Sequence, residues 1–299
     1  MSAQIERYKG IIPALITPYT NEGKINEAVT RKLIQHLLSK GVKGLYLSGS
    51  TGEGFLQTVE ERKQFLEIVV DEVQGEVPVI SQVGAVDTNT CVELTKHAAE
   101  VGADAVSAVA PFYYKHGSEQ IKQHYLDIVN AADIPLIIYH IPDFTGTSGS
   151  IDFYEELSKV ENIIGLKYTS KDTFFMQQLI DVCGDEFMVF NGPDECCIAG
   201  LAVGAHGAIG STYNIMPEKF VSLFNHFANG NIAAAKQEQY EANRLIRKLL
   251  DYDFIAFERE VLTLQGFDVG KPRKPLQQLT DMERSQIRKI VEEFPFLQV

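Results

Sequence analysis

The chain lacks the features that mark several large classes of protein. It has only four cysteines, without a C-x-x-C pair, and no His-x-x-His, so no zinc site or other metal centre is expected. No apolar run approaches the roughly 20 residues that a membrane-spanning helix needs, and the N-terminus (MSAQIERYKG) has no apolar signal core. We therefore expect reduced, buried thiols, no membrane association and a cytoplasmic location.

Basic residues are also scarce relative to acidic ones. Lysine and arginine total 27 against 40 aspartates and glutamates, a formal net charge of −13. This charge repels polyanions, so the sequence argues against a nucleic acid or an anionic membrane surface as a partner. A few local donors can still bind one small anion. Apolar residues make up 45% of the 299 residues, which is enough to bury a sizeable core.

Short apolar, β-branched runs alternate with longer segments of helical period from residue 10 to about residue 230. This alternation predicts parallel strands joined by helices, and eight such units in roughly 220 residues match a closed (β/α)₈ barrel, the TIM barrel. No G-x-G-x-x-G follows the first strand, as a doubly wound dinucleotide-binding sheet would require. The predicted strands are residues 10–18, 44–50, 78–84, 105–111, 135–142, 163–170, 187–192 and 207–213.

The last 70 or so residues differ in pattern, because long helical periods follow one another without strands between them. Residues 270–275 (GKPRKP) have the composition of a loop, and no linker or repeat interrupts the chain. We predict a single structural unit, with the barrel over residues 1–230 and a C-terminal helical extension over residues 231–299 packed on it. The clearest helical segments are residues 27–40, 59–73, 231–252 and 281–294.

The active site of such a barrel lies at the carboxyl ends of the strands. Few polar residues close the predicted strands, and these are the candidates for chemistry. They are Ser48, Ser50, Thr51, Tyr113, Tyr114, Tyr139, His140, Lys167, Thr169, Gly192, Asp194, Glu195 and Ser211.

Lys167 is the most informative candidate, because it stands within an apolar strand and must point into the barrel or the helix layer. Burial disfavours the ammonium form, and a neutral amine can attack a carbonyl carbon. A structural lysine, ion-paired or reaching solvent, fits the position alone equally well. Tyr139 lies one strand away, where a phenol could move protons, although a core tyrosine bonded to backbone is the alternative for any single tyrosine.

Two turns carry further candidates. Residues 49–53 (GSTGE) could aim backbone N–H groups and two hydroxyls at a carboxylate, or simply cap the next helix, and they lack the lysine of a phosphate-binding loop. Asp194 and Glu195 could accept hydrogen bonds from a polyhydroxylated ligand, or cap a helix, and no third ligand suggests a metal. His140 and His206 are expected to be packing residues outside the barrel lumen.

Six short motifs occur in a fixed order at the predicted strand ends. Together they resemble the N-acetylneuraminate lyase family, within the pyruvate-dependent class I aldolases that also include dihydrodipicolinate synthase. The resemblance runs from about residue 8 to the C-terminus. The motifs are G-S-T-G-E at 49–53, P-F-Y-Y at 111–114, Y-H-I-P at 139–142, G-L-K-Y-T at 165–169, N-G-P-D-E at 191–195 and G-S-T-Y-N at 210–214.

This resemblance implies a role for each matched residue. Lys167 matches the Schiff-base lysine, Tyr139 the proton-transferring tyrosine, and Ser50 and Thr51 the pair that holds the carboxylate of the keto acid. Tyr113 matches a tyrosine that completes a neighbouring subunit's site, which implies a homotetramer built as a dimer of dimers. No metal or dissociable cofactor is implied. The positions that match binding sites for the sialic-acid chain are Thr169, Gly192, Asp194, Glu195 and Ser211.

The implied activity is reversible retro-aldol cleavage of N-acetylneuraminate to N-acetylmannosamine and pyruvate. Phe144 argues against the synthase, which carries an arginine at this position, two residues after the proline that follows strand five; the lyases more often carry leucine. An aldolase of the same chemistry acting on another 2-keto-3-deoxy sugar acid is an alternative. A non-catalytic sugar-acid sensor is a third reading, against which the presence of both Lys167 and Tyr139 counts.

Overall fold

The computed structural model describes residues 3–298 and contains the predicted barrel of eight parallel strands. Every strand falls within its predicted range, which confirms the (β/α)₈ prediction, although each is shorter than the pattern indicated. The strands are β1 (Ile11–Pro13), β2 (Leu45–Leu47), β3 (Val79–Gln82), β4 (Ala105–Val109), β5 (Leu136–His140), β6 (Ile163–Tyr168), β7 (Met188–Asn191) and β8 (Gly207–Gly210).

The strands follow one another around the barrel in chain order. Their spatial order is β1-β8-β7-β6-β5-β4-β3-β2, and all the pairs are parallel. A bridge between Ala14 and Tyr46, with the Leu15 N–H donating to the Tyr46 carbonyl at 2.8 Å, joins the two ends of this series. The sheet is thus closed on itself, and the carboxyl ends of all eight strands meet at one mouth.

Helices fill the connections, and their starts have clear chemical causes. The helix of residues 59–73 begins at a capping box in which Thr58 and Glu61 exchange side-chain hydrogen bonds with each other's backbone N–H. Asn26 and Asp87 cap two others by the same kind of bond. The helices are α1 (Ala3–Tyr8), α2 (Glu27–Ser39), α3 (Val59–Val73), α4 (Thr88–Val101), α5 (Ser118–Val129), α6 (Pro142–Thr145), α7 (Ile151–Ser158), α8 (Thr173–Cys183), α9 (Cys197–Ala202), α10 (Pro217–Ala228), α11 (Ile232–Leu249), α12 (Phe254–Leu264) and α13 (Asp281–Glu293).

Alternation along each strand divides the core into two layers. Tyr46, Tyr139 and Phe190 belong to the cluster inside the barrel, whereas their strand neighbours pack against the surrounding helices. His140 therefore points outward, where its Nδ1 lies 2.7 Å from the Tyr154 hydroxyl of α7, as predicted. His206 Nδ1 accepts a hydrogen bond from the Val189 N–H of β7 at 3.1 Å, and its packing on a helix stays a prediction.

The C-terminal region holds one helix that the sequence pattern did not reveal. Helices α11 and α13 fall within the predicted segments, but α12 lies between them and is one of the most buried helices of the chain. Its side chains from Ile255 to Leu262 are all buried, and these include the charged residues Glu258, Arg259 and Glu260. Helix α11 packs on α10, and the division of the chain at residue 230 stays a prediction.

Two smaller expectations concern the cysteines and membrane-spanning helices. The four cysteines are free, but only Cys91 and Cys197 are buried, whereas Cys183 and Cys196 are half-buried, so the prediction of four buried thiols is wrong for two. Among residues 3–298, no helix combines the length and apolar character that crossing a bilayer requires.

Candidate active site

A cavity of about 250 Å³ opens at the carboxyl ends of the strands. It gathers residues from seven well-separated parts of the chain, as expected for a barrel. Of the ten residues to which the resemblance gives a role, Tyr113 is the one that does not line it. The predicted residues that do are Ser50, Thr51, Tyr139, Lys167, Thr169, Gly192, Asp194, Glu195 and Ser211.

Lys167 lies inside the lumen with 5% of its surface exposed. It is paired in register with Tyr139 across β5 and β6, and its Nζ lies 4.1 Å from the centre of the Tyr139 ring. The Tyr46 ring is 4.5 Å away on another side. No ion pair to Lys167 occurs within residues 3–298, so the paired structural lysine considered from the sequence is not what the fold contains. The amine faces two aromatic rings and the cavity.

The rings of Tyr46 and Tyr139 form an aromatic cradle beside the Lys167 amine, and the sequence analysis did not single out Tyr46. Tyr46 is fully buried, meets the Tyr139 ring edge to face at 5.9 Å, and donates to the Ser107 hydroxyl at 3.1 Å. Burial raises the pKa of its phenol well above the usual value of 10.0, so Tyr46 stays protonated. The available signal was alternation along β2, because Tyr46 points into the barrel between Leu45 and Leu47, which belong to the outer cluster.

The turn at residues 49–53 is compact and does not cap α3, whose cap is Thr58. Glu53 adopts a left-handed backbone with φ 58°, and a Cβ at position 54 would lie 1.9 Å from the Ser48 carbonyl oxygen, so only glycine fits there. Thr51 is buried and Ser50 is half-buried at the cavity edge. Two hydroxyls are therefore presented together by a turn held in a single tight conformation.

A buried ion pair anchors this turn to the C-terminal region. Arg259 of α12 donates to Glu53 Oε1 through Nε at 2.8 Å and Nη2 at 2.5 Å, and both side chains are almost fully buried. Arg259 also donates to the carbonyls of Val269 and Thr17, while the Arg273 N–H donates to Glu53 Oε2 at 2.7 Å. The extension thus supports the active-site turn directly.

Asp194 and Thr212, which are hydrogen-bonded to each other, form a polar floor of the cavity. Asp194 Oδ2 accepts from the Thr212 N–H at 2.8 Å and the Thr212 hydroxyl at 2.7 Å, so Asp194 does not cap α9. Its Oδ1 is buried without a hydrogen-bond partner among the described residues, and the same is true of Thr169 Oγ1. Burial raises the pKa of Asp194 to about 6. Two unpaired polar atoms at one cavity are typical of a site that a polar ligand completes.

Glu195 has a different environment from its neighbour. It is one-third exposed, and Lys171 lies 3.0 Å from its Oε1. Its backbone is held by α11, because the Asn243 amide donates to the Glu195 carbonyl at 3.0 Å and the Gln239 amide to the Asp194 carbonyl at 3.1 Å. Lys171 was not predicted as a site residue; it lies only four residues after Lys167.

Apolar side chains make up much of the remaining lining of the cavity. Phe144 is 64% exposed at the mouth, so the position that is expected to distinguish synthases from lyases does lie at the site. The cavity therefore offers both polar and apolar contacts to a ligand. The apolar lining is Ala14, Ile141, Phe144, Pro193, Ile209, Ile246, Leu249, Leu250 and Phe254.

Tyr113 stands apart from the cavity on the protein surface. It is 86% exposed, has a positive φ of 78°, and contacts the Tyr114 ring edge to face at 5.1 Å between centroids. Within one chain it contributes nothing to the site, and its predicted role in a neighbouring subunit stays a prediction.

Comparison with known proteins places this geometry in a family. The dihydrodipicolinate synthetase family model matches residues 7–294. The N-acetylneuraminate lyase of Clostridium perfringens is 38% identical over 274 residues, which cover 91% of this chain and 95% of that protein. A Clostridium difficile protein solved in complex with mannosamine superposes with a TM-score of 0.93 at 38% identity, covering 96% of this chain and 99% of that one.

A second solved structure is the catalytic-lysine mutant of the sialic acid aldolase from Ruminococcus gnavus. It superposes with a TM-score of 0.95 at 33% identity and covers 98% of this chain and 97% of that one. The match of the family model to nearly the whole chain, together with these relatives, shows that the protein belongs to the dihydrodipicolinate synthetase family.

Proposed function

We propose that the protein is an N-acetylneuraminate lyase, which cleaves N-acetylneuraminate to N-acetylmannosamine and pyruvate through a Schiff base on Lys167. The observation that carries the proposal is the position of the Lys167 amine, buried against Tyr139 in a cavity lined by every predicted substrate-binding residue. The 38% identity to an N-acetylneuraminate lyase over nearly the whole of both chains supports this choice of substrate.

The reaction begins with the open-chain sugar acid. Its carboxylate binds at Ser50 and Thr51, which brings the adjacent ketone to Lys167. The neutral amine adds to the ketone carbon, and the hydroxyl group of this adduct takes up a proton from solvent and leaves as water, so that a protonated imine remains. The imine is the electron sink for the next step, and the aromatic cradle of Tyr46 and Tyr139 suits its positive charge.

Tyr139 then acts as the general base. With help from the substrate carboxylate and Ser50, it removes the proton from the hydroxyl on carbon 4, the carbonyl forms there, and the bond between carbons 3 and 4 breaks. The aldehyde N-acetylmannosamine leaves, and the bonding electrons remain as an enamine on Lys167. Protonation of the enamine and hydrolysis of the imine release pyruvate and restore the amine.

The remainder of the sugar chain extends toward the polar floor. Asp194 and Glu195 accept hydrogen bonds from its hydroxyls, and Thr169, Gly192 and Ser211 complete the contacts. The free Oδ1 of Asp194 and Oγ1 of Thr169 are suited to this task because the described residues leave them unpaired. An apolar Phe144 supplies no cation for the second carboxylate that a synthase substrate carries, which favours the lyase.

The assembly and the location of the enzyme also belong to the proposal. We expect a homotetramer in which the exposed Tyr113 reaches the site of a neighbouring subunit, and its 86% exposure in the single chain supports this arrangement. A cytoplasmic location stays a prediction. The partner of the site itself is a small-molecule 2-keto acid.

Borohydride trapping with pyruvate tests the mechanism, and pyruvate release from N-acetylneuraminate tests the substrate. We expect a reduced pyruvyl adduct on Lys167 by peptide mapping, absent in Lys167→Ala and present in Lys159→Ala, which removes an exposed lysine. An adduct without pyruvate release would retain the aldolase chemistry and move the substrate to another sugar acid. No adduct would refute the Schiff base and favour a non-catalytic sensor.

A further inference from the structure

Glu258 is a fully buried carboxyl group that the proposed mechanism does not use. It lies on α12, immediately before Arg259, with none of its surface exposed. Neither of its oxygens has a hydrogen-bond partner at standard geometry among residues 3–298. Its neighbour Arg259 turns instead to Glu53. A buried carboxyl without partners is costly, so its presence requires an explanation.

Glu258 lies next to the part of the cavity that is assigned to the sugar chain of the substrate. Helix α12 packs against the 3₁₀ turn Thr212–Asn214, which begins directly after Ser211. The Ser211 hydroxyl is the polar side-chain group close enough to act on the Glu258 carboxyl by hydrogen bonding. Ser211 is itself half-buried and lines the cavity. Glu258 therefore lies behind a residue that would contact the substrate.

Burial favours the neutral form of the Glu258 carboxyl group. Burial raises its pKa well above the usual 4.5, and the nearby Asp194 and Asp253 raise it further. Ser211 and Arg259 act in the opposite direction without overcoming burial. A neutral carboxylic acid has one O–H to donate, whereas a carboxylate can only accept.

We propose that Glu258 is a positioning residue that donates its proton in a hydrogen bond to Ser211 Oγ and so turns the Ser211 hydroxyl hydrogen toward the substrate. Ser211 then presents a donor to a sugar oxygen while Asp194 presents an acceptor for a sugar hydroxyl. An ionised Glu258 would reverse the direction of this hydrogen bond, because a carboxylate can only accept and the Ser211 hydroxyl would then donate to it. This inference rests on the proposed function, since it concerns the sugar chain of the same substrate.

Two substitutions separate positioning from a structural role. Glu258→Gln keeps a side-chain N–H that donates to Ser211, so we expect a KM for N-acetylneuraminate within about twofold of the wild type. Glu258→Leu removes the donor, and we expect KM to rise about fivefold or more, the usual effect of one lost hydrogen bond, with kcat nearly unchanged. Pyruvate trapping on Lys167 should be unaffected in both variants, because neither touches the carboxylate-binding end.

The same comparison in a Ser211→Ala background shows whether Glu258 acts through Ser211. Without the serine hydroxyl, we expect Glu258→Leu to have no further effect on KM. Melting temperatures control for folding, and loss of an unpaired buried carboxyl should not lower them. If Glu258→Leu has the wild-type KM, or raises KM equally with and without Ser211, the positioning role is wrong while the lyase proposal stands. A wild-type enzyme that traps pyruvate but does not cleave N-acetylneuraminate overturns the proposed substrate and this inference together.

Discussion

Arg259 offers a sharp test of how the C-terminal helices support the active site. Its guanidinium makes two hydrogen bonds to Glu53 Oε1 and one each to the carbonyls of Val269 and Thr17, at 2.5 to 2.8 Å. In Arg259→Met all four are lost, and the Glu53 carboxylate stays buried with the Arg273 N–H as its remaining donor.

The expected cost follows from that uncompensated charge. Removing one partner of a buried ion pair destabilises a protein by about 3–5 kcal/mol. At roughly 2 °C per kcal/mol for a chain of this length, the melting temperature should fall by about 6–10 °C. Because Glu53 closes the turn that carries Ser50 and Thr51, KM for the sugar acid should rise as well.

Thermal unfolding and steady-state kinetics measure both effects. The matched control is Lys159→Met, which breaks the exposed pair with Glu155 and should change stability by less than about 0.5 kcal/mol. In the double variant Glu53→Gln, Arg259→Met no charge is left unpaired, so much of the lost stability should return. The reasoning is refuted if Arg259→Met unfolds at the wild-type temperature, or if the double variant is less stable than the single one.

Three further predictions concern the cavity. Tyr139→Phe should lower kcat about 100-fold or more, the usual effect of losing a general base, while pyruvate trapping on Lys167 persists; equal loss of trapping would contradict the assigned role. Gly210→Ala should raise KM for the sugar acid without affecting trapping, because its Cβ would lie 1.7 Å from Asp194 Oδ1. With a pKa of about 6, Asp194 is ionised at about pH 8 and neutral at about pH 5, so KM should rise as the pH falls. Asp194→Asn should remove that pH dependence, and a persisting one would assign it elsewhere.

The barrel and most of its mouth were predictable from local pattern. Alternating apolar strands and amphipathic helices carry their periodicity in the sequence, and a closed parallel barrel brings the ends of its strands together whatever lies between them. Nine of the predicted site residues line one cavity for this reason. Lys167 was recognisable because a charged residue inside an apolar strand violates the local pattern.

The supporting residues could not be predicted in the same way. The segment that forms α12 was not assigned to a helix, and its charged residues Glu258 and Arg259 are buried although such residues normally lie at the surface. Arg259 meets Glu53 across 206 positions of sequence, and no local pattern encodes a contact of that separation. The strands were predicted too long because buried loops such as residues 14–18 are as apolar as strands.

The amino-acid sequence by itself therefore determined the barrel and the chemical groups at its mouth, since both follow from periodicity and from residue types at strand ends. Only the tertiary structure decided what surrounds them: the aromatic cradle of Lys167, the ion pair that locks the Glu53 turn, and the buried carboxyl behind Ser211. These features arise from burial and long-range contact, which set the environment of each group and are absent from any short segment of the chain.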